Sequence, residues 1–281
     1  MERIKLAIEK AKTGGQSALA VAIEPAGEST RDSEAAAAPE VPHLSPASIQ
    51  YQKTPVVRLD EKHLEQHRIV AHQKSHQASW AFDVLRTQVL QQMEEKGWRT
   101  LAITSPTVES GKTMTAINLA ISIAQQPDRT ALLVDFDFRR PRVAASLGLH
   151  QNLSLNEVLE DKADVAAALV NPGMERLVVL PTHRPIAKAA EVLSSSKVSH
   201  LIADLRDRYQ DRTVIFDLPP MLVADDVMAV LPHMDCVLLV IANGASSEKE
   251  IEECMMRLSK SNLLGVVLNK EESSSTQANY Y

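Results

Sequence analysis

The feature that most constrains the fold is a Gly-Lys-Thr triplet that lies between a strand pattern and a helix pattern. Residues 101–104 form a short apolar run, residues 105–113 form a loop that ends in Gly-Lys-Thr, and a helical pattern continues to residue 125. This order of strand, loop and helix is the context that a Walker A phosphate loop requires. The triplet therefore predicts a nucleotide site. The alternative is an ordinary strand-to-helix turn, because a bare triplet also occurs by chance.

The polar residues of this loop have separate predicted roles. Backbone N–H groups and the helix N-terminus surround a phosphate, Lys112 reaches the β- and γ-phosphate oxygens, and the Thr113 hydroxyl ligates Mg²⁺. Pro106 replaces the usual first glycine of the loop, and Glu109 occupies a position that is often glycine. A carboxylate at Glu109 weakens phosphate binding unless it points away. The residues of the loop and helix start that we predict to contact the nucleotide are Ser110, Gly111, Lys112, Thr113 and Met114.

Beyond Gly97, short apolar runs alternate with helical patterns. Strands that are apolar on both faces and separated by helices predict an α/β fold, a mostly parallel sheet with helices on both faces. Ligands of such sheets bind at the carboxyl ends of the strands. The predicted strands are residues 101–104, 131–134, 177–180, 213–216, 237–241 and 265–268, and the predicted helices lie near residues 113–125, 164–170, 198–209 and 248–260.

Two of these strands end in acidic residues. Asp135 and Asp137 follow residues 131–134, and a strand's period of two predicts that both leave the same face. Such carboxylates can hold hydrated Mg²⁺ or accept a proton from an attacking hydroxyl. Asp217 follows residues 213–216 and begins Asp-Leu-Pro-Pro, which is typical of a Walker B motif. Any one Asp alone could instead cap a strand. The predicted catalytic residues are Lys112, Asp135 and Asp137, and the predicted metal ligands are Thr113, Asp137 and Asp217.

Composition limits the classes of partner. The chain is 44% hydrophobic and 23% charged with a net charge of −6, so it is typical of a soluble globular protein without a basic nucleic-acid surface. Cys236 and Cys254 are too few for a disulfide framework. The longest apolar run, residues 236–242, is shorter than the about 20 residues that span a bilayer. We therefore expect a membrane role only through a partner.

Changes in composition divide the chain into five segments. Residues 17–50 are rich in Ala, Glu, Ser and Pro, which predicts a disordered linker and hence a flexible N-terminal extension. A helical pattern over residues 61–95 is interrupted near His76 and ends at Lys96-Gly97. The predicted organisation is a short amphipathic helix (1–16), the linker (17–50), a helical lead segment (51–97), a nucleotide-binding domain (98–270) and a flexible tail (271–281).

Together these motifs resemble the tyrosine autokinases of bacterial capsule and exopolysaccharide clusters, including those associated with exosortase loci. Members carry a Walker A loop, an Asp-x-Asp-x-Arg-Arg-Pro motif and an Asp-x-Pro-Pro motif. All three occur here in order, in residues 105–113, 135–141 and 217–220. The resemblance extends from about residue 78 to residue 269. Partition and division-site ATPases carry an additional loop lysine where this chain has Thr107, so the kinase branch is favoured.

The resemblance implies more than the residues alone. It implies a P-loop NTPase fold like that of division-site and partition ATPases, and an ATP- and Mg²⁺-dependent tyrosine autokinase that regulates polymer assembly and export. It implies a cytoplasmic protein, peripheral to the inner membrane, that self-associates, binds a transmembrane polysaccharide co-polymerase (a chain-length adaptor) and takes no nucleic acid. Asn269 is implied to contact adenine, and Tyr280 and Tyr281 are implied phosphoacceptors in residues 271–281.

Several positions depart from the family pattern and keep two alternatives open. The oligomerisation motif Glu-x-x-Arg-x-x-Arg is matched only at Arg86, because Trp80 and Asp83 occupy its first two positions. Glu109 also departs from the family pattern, and the tail carries two tyrosines where relatives carry a cluster. The alternatives are a P-loop ATPase that switches assembly without kinase activity, and a non-catalytic ATP-binding regulator of a co-polymerase. The division of roles between Asp135 and Asp137 stays open.

Overall fold

A parallel β-sheet forms the centre of the protein. The computed structural model describes residues 54–209, 211–223 and 225–270, together with the backbone of residues 19–21. Within these ranges the seven strands all pair in parallel, in the order β1-β7-β6-β2-β5-β3-β4. The strands are β1 Leu19–Val21, β2 Thr100–Thr104, β3 Thr130–Asp135, β4 Leu177–Leu180, β5 Arg212–Asp217, β6 Cys236–Ala242 and β7 Leu263–Asn269.

Two hydrophobic layers cover the sheet, one on each face. β2 is buried along its whole length, and its side chains alternate between the layers. Ala102 packs into one layer, and Leu101 and Ile103 pack into the other. This alternation follows from the two-residue period of a strand, and burial on both faces explains why the strands read as continuous apolar runs. The predicted α/β fold with a parallel sheet is therefore confirmed.

Helices of very different length connect the strands. The phosphate-loop helix, α3, is apolar over most of its surface and lies buried between the sheet and α2. The helices are α1 Glu61–Gln66, α2 Gln77–Lys96, α3 Lys112–Ala124, α4 Val143–Leu147, α5 Leu155–Leu159, α6 Val165–Ala168, α7 Ala189–Leu193, α8 Ser196–Asp207, α9 Asp226–Val230 and α10 Glu248–Arg257, with 3-10 turns at Leu231–His233 and Leu258–Lys260. In the described ranges, none of these helices combines the length and the apolar character that crossing a membrane requires.

The helical lead segment shares a core with the nucleotide-binding domain. Its predicted break near His76 is confirmed, because His76 caps the start of α2 and Gly97, at φ 67°, ends that helix. Leu64 and Leu85 lie in the same apolar cluster as α3. Asn118 of α3 is fully buried and makes the polar connection. Its side chain accepts hydrogen bonds from the N–H groups of residues 70 and 71 and donates to the carbonyl of residue 68.

The structure also contains elements that the sequence patterns do not predict. Strand β1 lies within the predicted linker and pairs with β7, with Leu19 opposite Gly265. Helices α4, α5, α7 and α9, each of five residues, were likewise not predicted. The rest of the linker, the predicted N-terminal helix, and the tail with Tyr280 and Tyr281 lie outside the described residues.

Candidate nucleotide-binding site

The loop between β2 and α3 has the backbone shape of an anion-binding nest. Gly111 is the N-cap of α3, at φ 92° and ψ 19°, and no side chain caps the helix. The first N–H groups of a helix have no partner within it, so they and the positive end of the helix dipole favour a bound anion. The Ser110 hydroxyl donates to the Thr107 carbonyl (3.0 Å) and tightens the turn. The predicted strand, loop and helix context is thus present.

The Lys112 side chain lies between the two acidic motifs. Its Nζ is 2.8 Å from Asp137 Oδ2 and 3.1 Å from Asp217 Oδ1, and all three residues are buried. The order of the strands explains why these three residues lie close together. β5 lies between β2 and β3, so the carboxyl ends of β3 and β5 both lie beside the phosphate loop. Burial alone would lower the pKa of Lys112, but the charges of Asp217 and Asp137 outweigh it, and the pKa is raised. Lys112 is therefore a charged, preoriented cation.

Asp217 and Thr113 form the part of the site that fits a divalent cation. The Thr113 hydroxyl donates to Asp217 Oδ2 at 2.6 Å. Burial raises the pKa of Asp217, although Lys112 and Thr113 oppose this shift. Among the residues that the structure describes, no cluster of three or more His, Cys, Asp or Glu could hold a metal by itself. Mg²⁺ commonly uses one or two carboxylates together with phosphate and water oxygens, so a hydroxyl and a carboxylate fit Mg²⁺ that arrives with a nucleotide.

Asp135 and Asp137 both reach the site but make different contacts. The carboxylate of Asp135 is fully buried and accepts hydrogen bonds from the N–H groups of Arg142 and Val143, both at 3.0 Å, and of Asp137 at 3.2 Å. Burial and the charge of Asp217 raise the pKa of Asp135. Asp137 accepts one backbone hydrogen bond, from Arg140 at 3.0 Å, and turns its other oxygen to Lys112. β3 ends at Asp135, so the strand period does not extend to Asp137.

Asn269 lies against the phosphate loop from the end of β7. Its Nδ2 donates to the Ser110 carbonyl at 2.9 Å. A Cβ at Gly111 would lie 2.0 Å from this nitrogen, so any larger residue at this position would have to displace the Asn269 amide. The predicted contact of Asn269 with adenine stays a prediction. Glu109 has a left-handed backbone (φ 62°), a conformation that favours glycine, and its side chain is exposed.

Two of the three positions of the oligomerisation motif, Asp83 and Arg86, make contacts within the chain. Asp83 accepts hydrogen bonds from the Ser122 hydroxyl (2.6 Å) and from Arg86 Nη1 (2.8 Å), and the bond from Ser122 joins α2 to α3. The hydrogen bonds from Ser122 and Lys74 outweigh burial and lower the pKa of Asp83. Trp80 is 54% exposed. Asp83 and Arg86 thus stabilise the packing of the phosphate-loop helix.

Sequence reasoning missed several residues that support the site. Asp226 forms an ion pair with Arg139 of the acidic loop, residues 136–142 between β3 and α4. The Thr182 hydroxyl donates to the carbonyl of Asp135 at 2.7 Å. Asn118 anchors α3, as described above. None of the three belongs to a spaced motif, because each acts through a partner distant in the chain. The only sequence signal is a polar residue beside apolar ones that become buried.

The fold and this site define a P-loop nucleotide-binding protein, and comparisons with known proteins support that class. Residues 99–264 match the AAA domain family. The septum site-determining protein MinD from Pyrococcus horikoshii shares the fold, with a TM-score of 0.54 and 24% identity over 63% of this chain and 72% of that structure. Nucleotide binding follows from this class, and the predicted P-loop NTPase fold is confirmed.

Closer relatives identify the family within that class. The chain is 30% identical over 203 residues to the tyrosine-protein kinase YwqD of Bacillus subtilis, which covers 71% of this chain and 84% of YwqD. It is 30% identical over 179 residues to CpsD of Streptococcus pneumoniae, covering 63% and 78% respectively. The kinase domain of the Escherichia coli tyrosine kinase ETK superposes with a TM-score of 0.68 at 26% identity, over 81% of this chain and 92% of that domain. The chain belongs to the bacterial tyrosine-protein kinases. The exosortase-associated subtype stays a prediction.

Proposed function

We propose that this chain is an ATP-dependent protein tyrosine autokinase that regulates the polymerisation and export of an exopolysaccharide or capsule. The observation that carries the proposal is the buried Lys112 Nζ, 2.8 Å from Asp137 and 3.1 Å from Asp217 at the start of α3. Phosphoryl transfer depends mainly on positioning and on stabilising negative charge. A preoriented lysine at an anion-binding helix terminus supplies both, and family membership supports the reaction class.

Each residue of the site has a role in this proposal. The N–H groups at the start of α3 bind the phosphates of ATP, and Lys112 stabilises charge on the transferred phosphoryl group. Thr113 and Asp217 are the residues that would hold Mg²⁺, which neutralises phosphate charge when bound. Asp137 orients the tyrosine hydroxyl or accepts its proton.

Asp137 is a better candidate base than Asp135. The carboxylate of Asp135 is fully buried and held by three backbone N–H groups, so its oxygens are committed to the loop. Asp137 Oδ2 instead contacts the flexible end of Lys112. When the Lys112 ammonium turns to a phosphate, this oxygen becomes available to a tyrosine hydroxyl. Asp135 then shapes the loop that presents Asp137.

The substrate and partners of the proposed kinase follow from the resemblance. Tyr280 and Tyr281 are the proposed phosphoacceptors, presented to the site of a neighbouring copy of the chain. A phosphotyrosine adds about −1.5 to −2 charges, which disfavours docking beside acidic residues. Phosphorylation would therefore loosen self-association. The proposed partner is a transmembrane polysaccharide co-polymerase, which would hold this cytoplasmic chain at the inner membrane.

The test is transfer of labelled phosphate to the tail. Full-length protein is incubated with γ-labelled ATP and Mg²⁺, and the tail peptide is analysed by mass spectrometry. We expect phosphate on Tyr280 or Tyr281, and its loss in Lys112→Ala. The control is Lys162→Ala, which removes an exposed lysine paired with Glu160 and should leave transfer unchanged. Label on the tail of Lys112→Ala, or no label on wild type, would contradict the proposal.

One observation favours a second candidate, an ATPase that switches assembly without phosphorylating tyrosine. Asp83 and Arg86 stand at positions of the oligomerisation motif and are hydrogen-bonded to Ser122 of their own chain. A phosphotyrosine immunoblot beside a phosphate-release assay separates the two functions. Phosphate release without phosphotyrosine would favour the ATPase. Saturable ATP binding with neither product would favour the non-catalytic regulator.

A further inference from the structure

We propose that Arg139 and Asp226 form a positioning pair that holds Asp137 in place for catalysis, an inference that rests on the proposed kinase function. Arg139 lies two residues after Asp137, and its guanidinium meets the Asp226 carboxylate in a two-bond fork. Arg139 Nε is 2.6 Å from Asp226 Oδ2, and Nη2 is 3.0 Å from Oδ1. A bidentate pair of this kind fixes direction as well as distance. Neither side chain contacts Lys112 within the described site, so the pair acts through the loop.

The burial of Asp226 makes Arg139 difficult to replace. The Asp226 side chain is 0% exposed, whereas the Arg139 side chain is 50% exposed. Leaving a buried carboxylate without its partner is strongly unfavourable. The loop that carries Arg139 is therefore held to the start of α9. A lysine would keep the charge but lose the planar fork.

The segment that precedes Asp226 is hydrogen-bonded to the phosphate loop. The segment after Asp217 runs alongside that loop, and the N–H of Met221 donates to the carbonyl of Ser105 (2.8 Å) while the N–H of Leu222 donates to that of Pro106 (3.0 Å). α9 begins a few residues later, at Asp226. The fork thus joins the acidic loop to a segment whose backbone is hydrogen-bonded to the phosphate loop.

Asp137 lies between two anchors of the same loop. On one side, β3 ends at Asp135. On the other, Phe138 is fully buried, and its carbonyl accepts a hydrogen bond from the N–H of Ile186 at 2.8 Å. The Arg139 fork follows directly and stops the loop from rotating about Phe138. Rotation would carry Asp137 Oδ2 away from the reacting hydroxyl without changing the N–H groups that bind phosphate.

The experiment compares variants of the pair by amide hydrogen exchange, ATP titration and steady-state kinetics on the full-length chain. The variants are Arg139→Gln, Asp226→Asn, their double mutant and Arg139→Lys. Arg208→Gln is the control, because it removes the ion pair between Arg208 and Asp204, which lies four residues earlier on α8. Turnover is followed in parallel as phosphotyrosine formation and as phosphate release.

We expect faster amide hydrogen exchange in residues 136–143 for Arg139→Gln, Asp226→Asn and their double mutant. We also expect a kcat about 10- to 100-fold lower, the scale for a catalytic group misplaced by about 1 Å, with the ATP dissociation constant within about twofold of wild type because the phosphate-binding groups are separate. The double mutant should match the single mutants, because the pair acts as a unit. Arg139→Lys should be intermediate, and Arg208→Gln should match wild type.

Three results would overturn this inference. One is unchanged exchange in residues 136–143, and a second is increased exchange with kcat and ATP affinity both unchanged. Equal losses of kcat and ATP affinity would also overturn it, because they indicate a general structural defect. If wild type forms no phosphotyrosine, the proposed kinase function fails, and the pair is judged on phosphate release. If wild type is inactive in both assays, Asp137 has no reaction to serve, and this inference fails together with the proposed function.

Discussion

Replacing Gly111 with alanine tests whether the approach of β7 shapes the phosphate loop. Gly111 has φ 92°, and an added Cβ would lie 2.0 Å from Asn269 Nδ2. The left-handed backbone should cost about 1–3 kcal/mol for a residue with a Cβ. The Asn269 amide must also move and give up its bond to the Ser110 carbonyl, which adds about 0.5–1.5 kcal/mol. We therefore expect Gly111→Ala to lower the free energy of unfolding by about 1.5–4.5 kcal/mol.

Gly97 provides a matched control for the backbone contribution. It has φ 67°, and a Cβ there would meet nothing within 4 Å, so Gly97→Ala should cost only the backbone contribution of about 1–3 kcal/mol. Both variants are measured by urea denaturation and by ATP titration, and only Gly111→Ala should lose ATP affinity. Adding Asn269→Ala to Gly111→Ala relieves the clash and should recover part of the lost stability. Equal destabilisation by the two glycine variants, with ATP affinity intact, would refute the role of the Asn269 contact.

Two further predictions concern the charges of the site. Glu109→Gln should raise ATP affinity by about two- to fivefold, which is the scale of an exposed charge interaction. Because salt screens such interactions, a titration at high salt should abolish the gain in affinity. A gain that persists at high salt would contradict this reasoning. The pKa of Asp135 is raised above 3.8 by burial and by the charge of Asp217, so the folded state binds its proton more tightly than the unfolded state does. The free energy of unfolding should therefore decline as pH rises from 3.8 towards the raised pKa. Asp135→Asn should lose the part of this decline that Asp135 causes, while the raised pKa of Asp217 keeps its own part. Denaturation curves recorded across that range test this, and an unaltered pH dependence would argue against it.

Much of the fold was predictable because its strands are buried on both faces. The predicted runs at residues 101–104 and 177–180 match β2 and β4 to within one residue. The four-turn helix α3 was equally clear, since a long apolar pattern averages out local exceptions. The five-residue helices were missed because fewer than two turns carry no measurable period. Their positions depend on tertiary contacts, as when the Asp135 carboxylate binds the N–H groups at the start of α4.

The site was predictable in its members but not in their contacts. The order of the motifs identified Lys112, Asp137 and Asp217, because the carboxyl ends of neighbouring parallel strands meet at one edge. The strand period treated Asp135 and Asp137 as equivalent, whereas β3 ends between them. Asp226 could not be predicted, because its partner lies 87 positions earlier in the chain. Pairings of that kind depend on the folded register rather than on local spacing.

The buried Asn118 has a consequence for cutting the protein into smaller pieces. A recombinant fragment that starts at Trp98 would retain the Walker A loop and both acidic motifs. It would nevertheless remove the three hydrogen bonds between the Asn118 amide and residues 68–71. It would also expose to solvent the apolar side of α3 that packs in one cluster with Leu64 and Leu85. Such a fragment should be poorly soluble even with an intact loop. The smallest piece able to carry the nucleotide site therefore begins before α1.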